Sequence, residues 1–244
     1  MPYPALLAIL SVLVLALFTA SLTIGPAGLS ARQGLAALLG QGDPMASIIM
    51  HEIRLPRAIL GALIGAALGL AGAAMQGYLR NPLAEPGLIG TSASASLGAV
   101  LAIHTGLAAA FAPALPLAAL LGAALSAGLV MALAGPGGGA LALILAGIAI
   151  SALAAAATSL VLNLAPNPWA ASEIVFWMMG SLADRSMLHV AIAAPLILLG
   201  ALILGQCGRG LRALTLGEDA AAAMGVDPAR LRLSVLSGTA ALVG

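Results

Sequence analysis

The chain has 244 residues, of which 62% are hydrophobic and only 7% are charged, with a formal net charge of +1. A soluble domain carries about 25% charged residues, so this composition excludes a soluble globular protein and indicates a membrane protein. All nine basic residues are arginine. Because lysine is missing, a Walker A phosphate loop and a Schiff-base enzyme are both excluded.

Long apolar runs dominate the chain, each near the roughly 20 residues that a helix needs to cross a bilayer core of about 30 Å. Six runs cover residues 5–24, 58–79, 88–109, 116–134, 141–164 and 189–207, and a seventh begins near Leu231. Their length favours helices over the short alternating strands of a barrel. We predict an all-α polytopic helix bundle, a single transmembrane domain over residues 1–244 with about six and a half spans. Because the seventh run is cut short, we expect the sequence to be C-terminally truncated.

Small residues recur every four positions along the second run. Close backbone approach between small residues holds helices together in lipid, so we predict that this face packs tightly against a neighbouring helix. The predicted packing residues are Gly61, Gly65, Gly69 and Gly77, in register with Ala73. Gln76, near the end of the run, is predicted to hydrogen-bond across helices.

Two connections contain further short elements. Residues 25–57 hold a short amphipathic piece, and residues 165–188 contain an apolar stretch that is too brief to span a bilayer. We predict that this second piece is a short helix, re-entrant or lying at the outer interface. Trp169 and Trp177 suit such an interface because their rings are amphipathic.

The segment 208–230 predicts a short capped helix outside the membrane. Thr215 and Glu218 have the spacing of a capping box, and Asp219 favours the positive end of a helix. Gly225 supplies a left-handed stop. Asp227 followed by a proline indicates the N-cap of a new helix.

Orientation follows from the arginines, which prefer the cytoplasmic side. Segment 208–232 holds four of the nine, so we place it in the cytoplasm, and counting six spans back puts the N-terminus there too. The inner arginines are then Arg80, Arg209, Arg212, Arg230 and Arg232, and the outer ones are Arg32, Arg54, Arg57 and Arg185.

The six runs contain no acidic residue. Ion-coupled carriers bury such residues within their spans, so an ion-coupled transporter is disfavoured. The three histidines lie far apart and Cys207 is the only cysteine, so we predict no metal site and no catalytic residues. Because a nucleotide-binding motif is missing, we also predict that the chain itself is not an enzyme. The energy for transport is then expected to come from a separate subunit.

Several motifs point to one family. The strings RLPR (54–57), RNPLAEPGLIG (80–90), LILAG (143–147), FWMMGS (176–181) and LGEDAAAAMGV (216–226) stand in this order. Together they resemble the permease subunits of ABC importers for iron-siderophores, haem and vitamin B12, and the resemblance covers the chain from about residue 5.

The resemblance implies an assembly in the bacterial cytoplasmic (inner) membrane. Such permeases have about ten spans, pair as homodimers, and bind two ATPase subunits below and an extracytoplasmic substrate-binding protein above. No cofactor is expected in this chain, because ATP and Mg²⁺ belong to the ATPase; lipid is the other expected partner, and nucleic acid is not.

The resemblance also implies site residues. Segment 208–230 becomes the cytoplasmic coupling segment, which docks on the ATPase and transmits its closure to the membrane helices. The docking residues are then Leu216, Gly217, Glu218, Asp219, Met224, Gly225 and Val226. On the outer side, Arg54 and Arg57 resemble docking charges for the binding protein.

The function that follows is import of an iron chelate, a siderophore complex or haem, by alternating access. Import of cobalamin is the nearest alternative. An ion-coupled secondary transporter and a non-transporting assembly protein are the readings from other classes.

Overall fold

The computed structural model describes residues 2–25, 27–111, 113–135 and 138–244. The helices are α1 (Tyr3–Thr23), α2 (Ala31–Leu38), α3 (Pro44–Ile48), α4 (Leu55–Leu79), α5 (Thr91–His104), α6 (Leu107–Ala110), α7 (Ala114–Ala134), α8 (Ala140–Asn163), α9 (Pro168–Met179), α10 (Met187–Gln206), α11 (Gly208–Leu214), α12 (Glu218–Ala223) and α13 (Pro228–Val243). A π-helical turn (Ile49–Arg54) joins α3 to α4, and a 3₁₀ turn (Pro86–Ile89) precedes α5. No strand occurs within these ranges, which confirms the all-α prediction.

The chain divides into two compact units. Unit 1 comprises Met1–Ala66 and Ser181–Pro195, and unit 2 comprises Ala67–Gly180 and Leu196–Gly244. The candidate coupling segment lies wholly in unit 2.

Five helices in the described part of the chain are long and apolar enough to cross a membrane. They are α1, the continuous helix Pro44–Leu79, α7, α8 and α10. The predicted run 88–109 is shorter than expected, since α5 has 14 residues and would measure about 21 Å. Gly90 and Gly106 bound α5, both with φ of 75°, a left-handed conformation that breaks a helix at little cost for glycine.

The second predicted run extends further towards the N-terminus than its composition indicates. The amphipathic piece before it is helical, so that α3, the π-helical turn and α4 form one helix of 36 residues. The π-helical turn carries His51, Glu52 and Arg54. Short π-helical turns of this kind occur within longer α-helices, frequently at functional sites.

Unit 1 has a small core beside α1. Ala37, Ala46 and Met50 are buried, and Leu22 of α1 packs against them. Helix α1 itself has no buried residue. A helix that is apolar all round and exposed in this way suits direct contact with lipid.

Unit 2 contains the closest helix packing. A Cβ added at Gly98 of α5 would overlap the carbonyl of Ala118 in α7, and one added at Gly122 of α7 would overlap the carbonyl of Ser94. Glycine is therefore required on both sides of this contact, as expected for helices that pack in lipid. Ser126 adds a hydrogen bond from its hydroxyl to the Ile89 carbonyl at 3.2 Å.

The predicted small-residue stripe on α4 is more open. A Cβ at Gly61 would lie 3.7 Å from Leu182, and one at Gly77 would lie 3.8 Å from Leu211. Nothing among the described residues lies within 4 Å of a Cβ built at Gly65 or Gly69. Ordinary van der Waals contact thus surrounds the two ends of the stripe, and tight packing of its middle stays a prediction.

Candidate functional site

The predicted coupling segment (residues 208–230, called the coupling segment from here on) begins just after the end of α10. It consists of α11, a break at Gly217, the six-residue helix α12 and a turn that leads into α13. Gly217 has φ of 105°, a conformation that favours glycine. The predicted short helix is therefore present as α12, and a further short helix that was not predicted, α11, precedes it.

The N-terminus of α12 differs from the predicted capping box. Gly217 is the N-cap and no side chain caps the helix. The Thr215 hydroxyl instead donates to the Arg212 carbonyl at 2.7 Å, because Thr215 directly follows α11 and stays in a helical conformation. The prediction that Thr215 and Glu218 form a capping box was wrong.

The C-terminus of α12 has the predicted stop. Gly225 has φ of 82°, its amide donates to the Ala222 carbonyl, and the Val226 amide donates to the Ala221 carbonyl. These two bonds form a Schellman motif. The Asp227 carboxylate then accepts from the amides of residues 229 and 230 at 2.9 and 3.2 Å, so both predicted signals are confirmed.

One side of α12 is buried in the core of unit 2. Ala221 is fully buried, in one apolar cluster with Leu214 of α11 and Leu231 of α13. The same cluster includes Met75 and Leu79 at the end of α4. Burial of apolar surface stabilises this packing by about 25 cal/mol per Å². Helix α12 is therefore packed against the ends of the membrane helices.

The other side of α12 is exposed and carries most of the predicted docking residues. Leu216 and Met224 flank the helix with 70% and 54% of their surface exposed. The first turn presents Glu218 and Asp219, which are also exposed. Gly225 is exposed, and the remaining two predicted residues, Gly217 and Val226, are half-buried. Exposed apolar residues thus flank α12 on both sides in the sequence, and two exposed carboxylates stand in its first turn.

Two ion pairs lie at this surface. Arg80 approaches Glu218 with an N–O distance of 3.8 Å, and Arg230 approaches Asp227 at 3.2 Å. Both pairs are well exposed, so each stabilises the structure little. Arg80 itself ends α4 with φ of 51°, and its pairing connects the α4–α5 turn to α12.

A partly open cavity of about 250 Å³, lined by both polar and apolar groups, lies beside α12 in unit 2. Tyr78, Glu218 and Arg232 contribute its polar groups. Arg232 is only 9% exposed, and its role was missed in the sequence, where it counted only as an inner charge. Its position within the apolar run that starts at Leu231 was the available signal, because ionisable residues near spans face the bundle interior.

The predicted outer docking residues lie in unit 1 and differ in exposure. Arg54 is only 3% exposed, and its Nη1 donates to the carbonyls of Leu22 and Thr23, both at 2.9 Å. This guanidinium caps the C-terminal end of α1, which is a favourable place for a cation. Arg57 is half-buried. A docking role for either residue stays a prediction.

Other predicted features are placed as follows. Helix α9 confirms the predicted short apolar helix. Trp169 is 85% exposed, whereas Trp177 packs against apolar residues of unit 2.

The Gln76 side chain is exposed and makes no hydrogen bond to a described residue, so its predicted bond across helices stays a prediction. No group of three or more His, Cys, Asp or Glu side chains with metal-binding geometry occurs in the described part of the chain.

Comparison with known proteins decides the family. The sequence profile described as the FecCD transport family matches residues 13–244. The chain belongs to the FecCD transport family. The FecCD profile thus covers the chain from the middle of α1 onwards, including the whole coupling segment.

Curated relatives of this FecCD chain are permeases of ABC transporters. The chain is 40% identical over 238 residues to the ferric enterobactin transport system permease protein FepD of Escherichia coli strain K12. This match covers 92% of the chain and 69% of FepD. The chain is 37% identical over 217 residues to the uncharacterised ABC transporter permease protein YvrB of Bacillus subtilis strain 168, covering 87% of this chain and 61% of YvrB. The chain therefore spans about three fifths of the length of that relative.

Relatives whose names give other substrates match too, and a solved structure has the same fold. The cobalamin import system permease protein BtuC of Halobacterium salinarum is 37% identical over 209 residues, covering 83% of this chain and 54% of BtuC. A solved structure described as an inward-facing conformation of a metal-chelate type ABC transporter matches with a TM-score of 0.86 and 32% identity. It covers 99% of this chain and 74% of the solved chain, which confirms the polytopic helix-bundle fold.

Proposed function

We propose that this FecCD chain acts as the transmembrane permease subunit of a binding-protein-dependent ABC importer in the bacterial inner membrane. Its cargo is an iron chelate, either a siderophore complex or haem. The observation that carries the proposal is the exposed side of α12, an apolar pair beside two carboxylates on a helix whose other side is buried among the ends of membrane helices. Such a surface suits a partner that pushes on the bundle.

The partner is an ATPase subunit, because this chain lacks the lysine of a phosphate loop. Leu216 and Met224 supply apolar contact, and Glu218 with Asp219 supplies charge at the edge. The remaining docking residues, Gly217, Gly225 and Val226, set the backbone geometry that presents this surface. ATP and Mg²⁺ bind in the ATPase, and two permease copies with two ATPase subunits form the complete transporter.

Alternating access then follows from differential binding. A partner shifts a conformational equilibrium only when it binds the two states with different affinity. In this proposal, the ATP-bound ATPase dimer binds one arrangement of the two coupling segments more tightly, and hydrolysis removes that preference. The absence of acidic residues from α1, α4, α5, α7, α8, α10 and α13 supports an external source of energy rather than coupling to ions.

In the proposed orientation, which rests on the distribution of arginines, the coupling segment and the N-terminus lie in the cytoplasm. The outer segment between α1 and α4 then faces the extracytoplasmic binding protein, with Arg57 as the more accessible docking charge. Arg54 is covered by the end of α1, so it serves docking only if that end moves.

A cobalamin cargo is the second candidate, since a cobalamin import permease resembles the chain at 37% identity. Uptake in sealed vesicles that contain the permease, its ATPase and its binding protein separates these proposals. Iron-chelate uptake should require ATP and survive an uncoupler, and excess unlabelled cobalamin should not compete. Competition by cobalamin would favour cobalamin as the cargo over an iron chelate. Loss of uptake with the uncoupler at constant ATP would contradict the proposed energy source.

A further inference from the structure

Arg232 connects the start of α13 to the adjoining ends of two other helices. Its Nη1 donates to the Gly135 carbonyl at 2.9 Å and to the Gly138 carbonyl at 3.1 Å. Gly135 is the C-cap of α7, and Gly138 stands two residues before α8. The two bonds bridge about 95 residues of sequence within unit 2.

The burial and charge of the Arg232 guanidinium explain why this position favours arginine. Arg232 is nearly buried, and a buried charge is costly unless hydrogen bonds satisfy it. A cation also interacts favourably with the negative C-terminal end of a helix, here the end of α7. The guanidinium reaches two carbonyls at once because its donors form a planar fork, which an ammonium group lacks.

The start of α13 is in turn fixed to the coupling segment. Ala221 of α12, Val226 of the turn and Leu231 of α13 belong to one apolar cluster. A Cβ added at Gly210 of α11 would lie 2.9 Å from Leu231, so α11 and α13 are also in close contact. A displacement of α12 therefore carries the first turns of α13 with it, including the neighbouring Arg232.

Two arginines of α13 differ in this respect. The Arg230 side chain is 89% exposed and forms an ion pair with the nearby Asp227, whereas Arg232 is bonded to the adjoining ends of α7 and α8. We propose that Arg232 is a positioning residue that transmits displacement of the coupling segment to the ends of α7 and α8. This inference rests on the proposed function, in which an ATPase displaces α12.

The chain offers a clean reporter for this motion. Cys207 is the only cysteine, so Cys207→Ser gives a cysteine-free background. Gly139 is the N-cap of α8, and nothing among the described residues lies within 4 Å of a Cβ built there. A spin label on Gly139→Cys therefore reports the position of the α8 end without disturbing its packing.

The experiment uses the complete transporter in lipid, with the permease, its ATPase and its binding protein. The label spectrum, ATP hydrolysis and iron-chelate uptake are measured with and without ATP in the parent and in Arg232→Met, Arg232→Lys and the matched control Arg230→Met. In Arg232→Met, uptake per ATP hydrolysed should fall at least about tenfold, as expected when coupling between two sites is lost. The ATP-dependent change of the label should disappear, while co-purification of the ATPase stays unchanged.

Arg232→Lys should keep part of both readouts, since one ammonium reaches fewer carbonyls. Arg230→Met should keep the parent's uptake per ATP hydrolysed and its label response, whatever its effect on ATPase binding. If Arg232→Met fails to fold, Arg232→Lys decides by the same two readouts. Unchanged uptake per ATP and an unchanged label response would overturn the inference, and so would a loss of uptake that only parallels loss of ATPase binding. A parent transporter without ATP-dependent uptake would overturn the proposed function itself.

Discussion

The exposed apolar pair beside α12 gives the sharpest test of the docking surface. We consider the double substitution Leu216→Ala and Met224→Ala. Both side chains stand away from the buried side of the coupling segment and are 70% and 54% exposed. Shortening them therefore leaves the core of unit 2 intact, and the folded permease should be recovered in normal yield.

The magnitude follows from the exposed fractions. Full burial of a leucine or methionine side chain contributes about 2 kcal/mol, so burying the exposed parts of Leu216 and Met224 would contribute roughly 1.4 and 1.1 kcal/mol. Alanine retains the Cβ contact, which reduces the expected loss to about 2 kcal/mol, or roughly 30-fold in Kd. Polar contacts of Glu218 and Asp219 remain in this variant, so binding weakens without vanishing.

The assay measures the Kd of the purified ATPase for the solubilised permease. A matched control is the pair Leu39→Ala and Met45→Ala, which are 68% and 61% exposed and lie in the predicted outer segment. The control should bind the ATPase as the parent does. An unchanged Kd for the Leu216 and Met224 variant, or an equal loss in the control, would refute the docking surface.

The remaining predictions concern packing, the outer arginine and the cysteine. Gly98→Ala should destabilise the protein by about 1–3 kcal/mol, because its Cβ would overlap a carbonyl of α7. The control Gly69→Ala should change stability by less than about 1 kcal/mol. Equal melting temperatures for the two variants would contradict this packing. Arg54→Ala should lower the free energy of unfolding by about 1–3 kcal/mol, because it removes both hydrogen bonds of Nη1 to the end of α1. An unchanged melting temperature combined with a slower on-rate for the binding protein would favour docking instead. Cys207 is 4% exposed, so a maleimide should label it far more slowly than it labels Gly139→Cys, and comparable labelling rates would show that the end of α10 opens.

Helix ends in the coupling segment could be predicted from the sequence where a residue type has a single conformational role. Gly225 ends α12 with positive φ, and Asp227 caps α13. Thr215 could not be assigned in this way, because its hydroxyl has two acceptable partners. The preceding helix α11 supplies the carbonyl of Arg212, and whether α11 persists up to Thr215 depends on burial of Leu214, which is a tertiary effect.

Long-range positions were less accessible from the sequence. Charge counting treats Arg230 and Arg232 alike, yet one is exposed and the other is bonded to residues about 95 positions away. Likewise, the regular stripe that includes Gly69 led to the packing prediction, whereas Gly98 and Gly122 lie at a contact too close for any Cβ. Periodicity shows which residues share a face, but the partner of that face depends on the whole bundle.

The account depends most on the claim that a separate ATPase drives the permease through the coupling segment. The direct measurement is substrate accumulation in liposomes that hold the permease with its binding protein, either with or without the ATPase, under ATP or an imposed proton gradient. We expect accumulation only with the ATPase and ATP, and none from the gradient alone. Accumulation driven by the gradient without the ATPase would contradict the account.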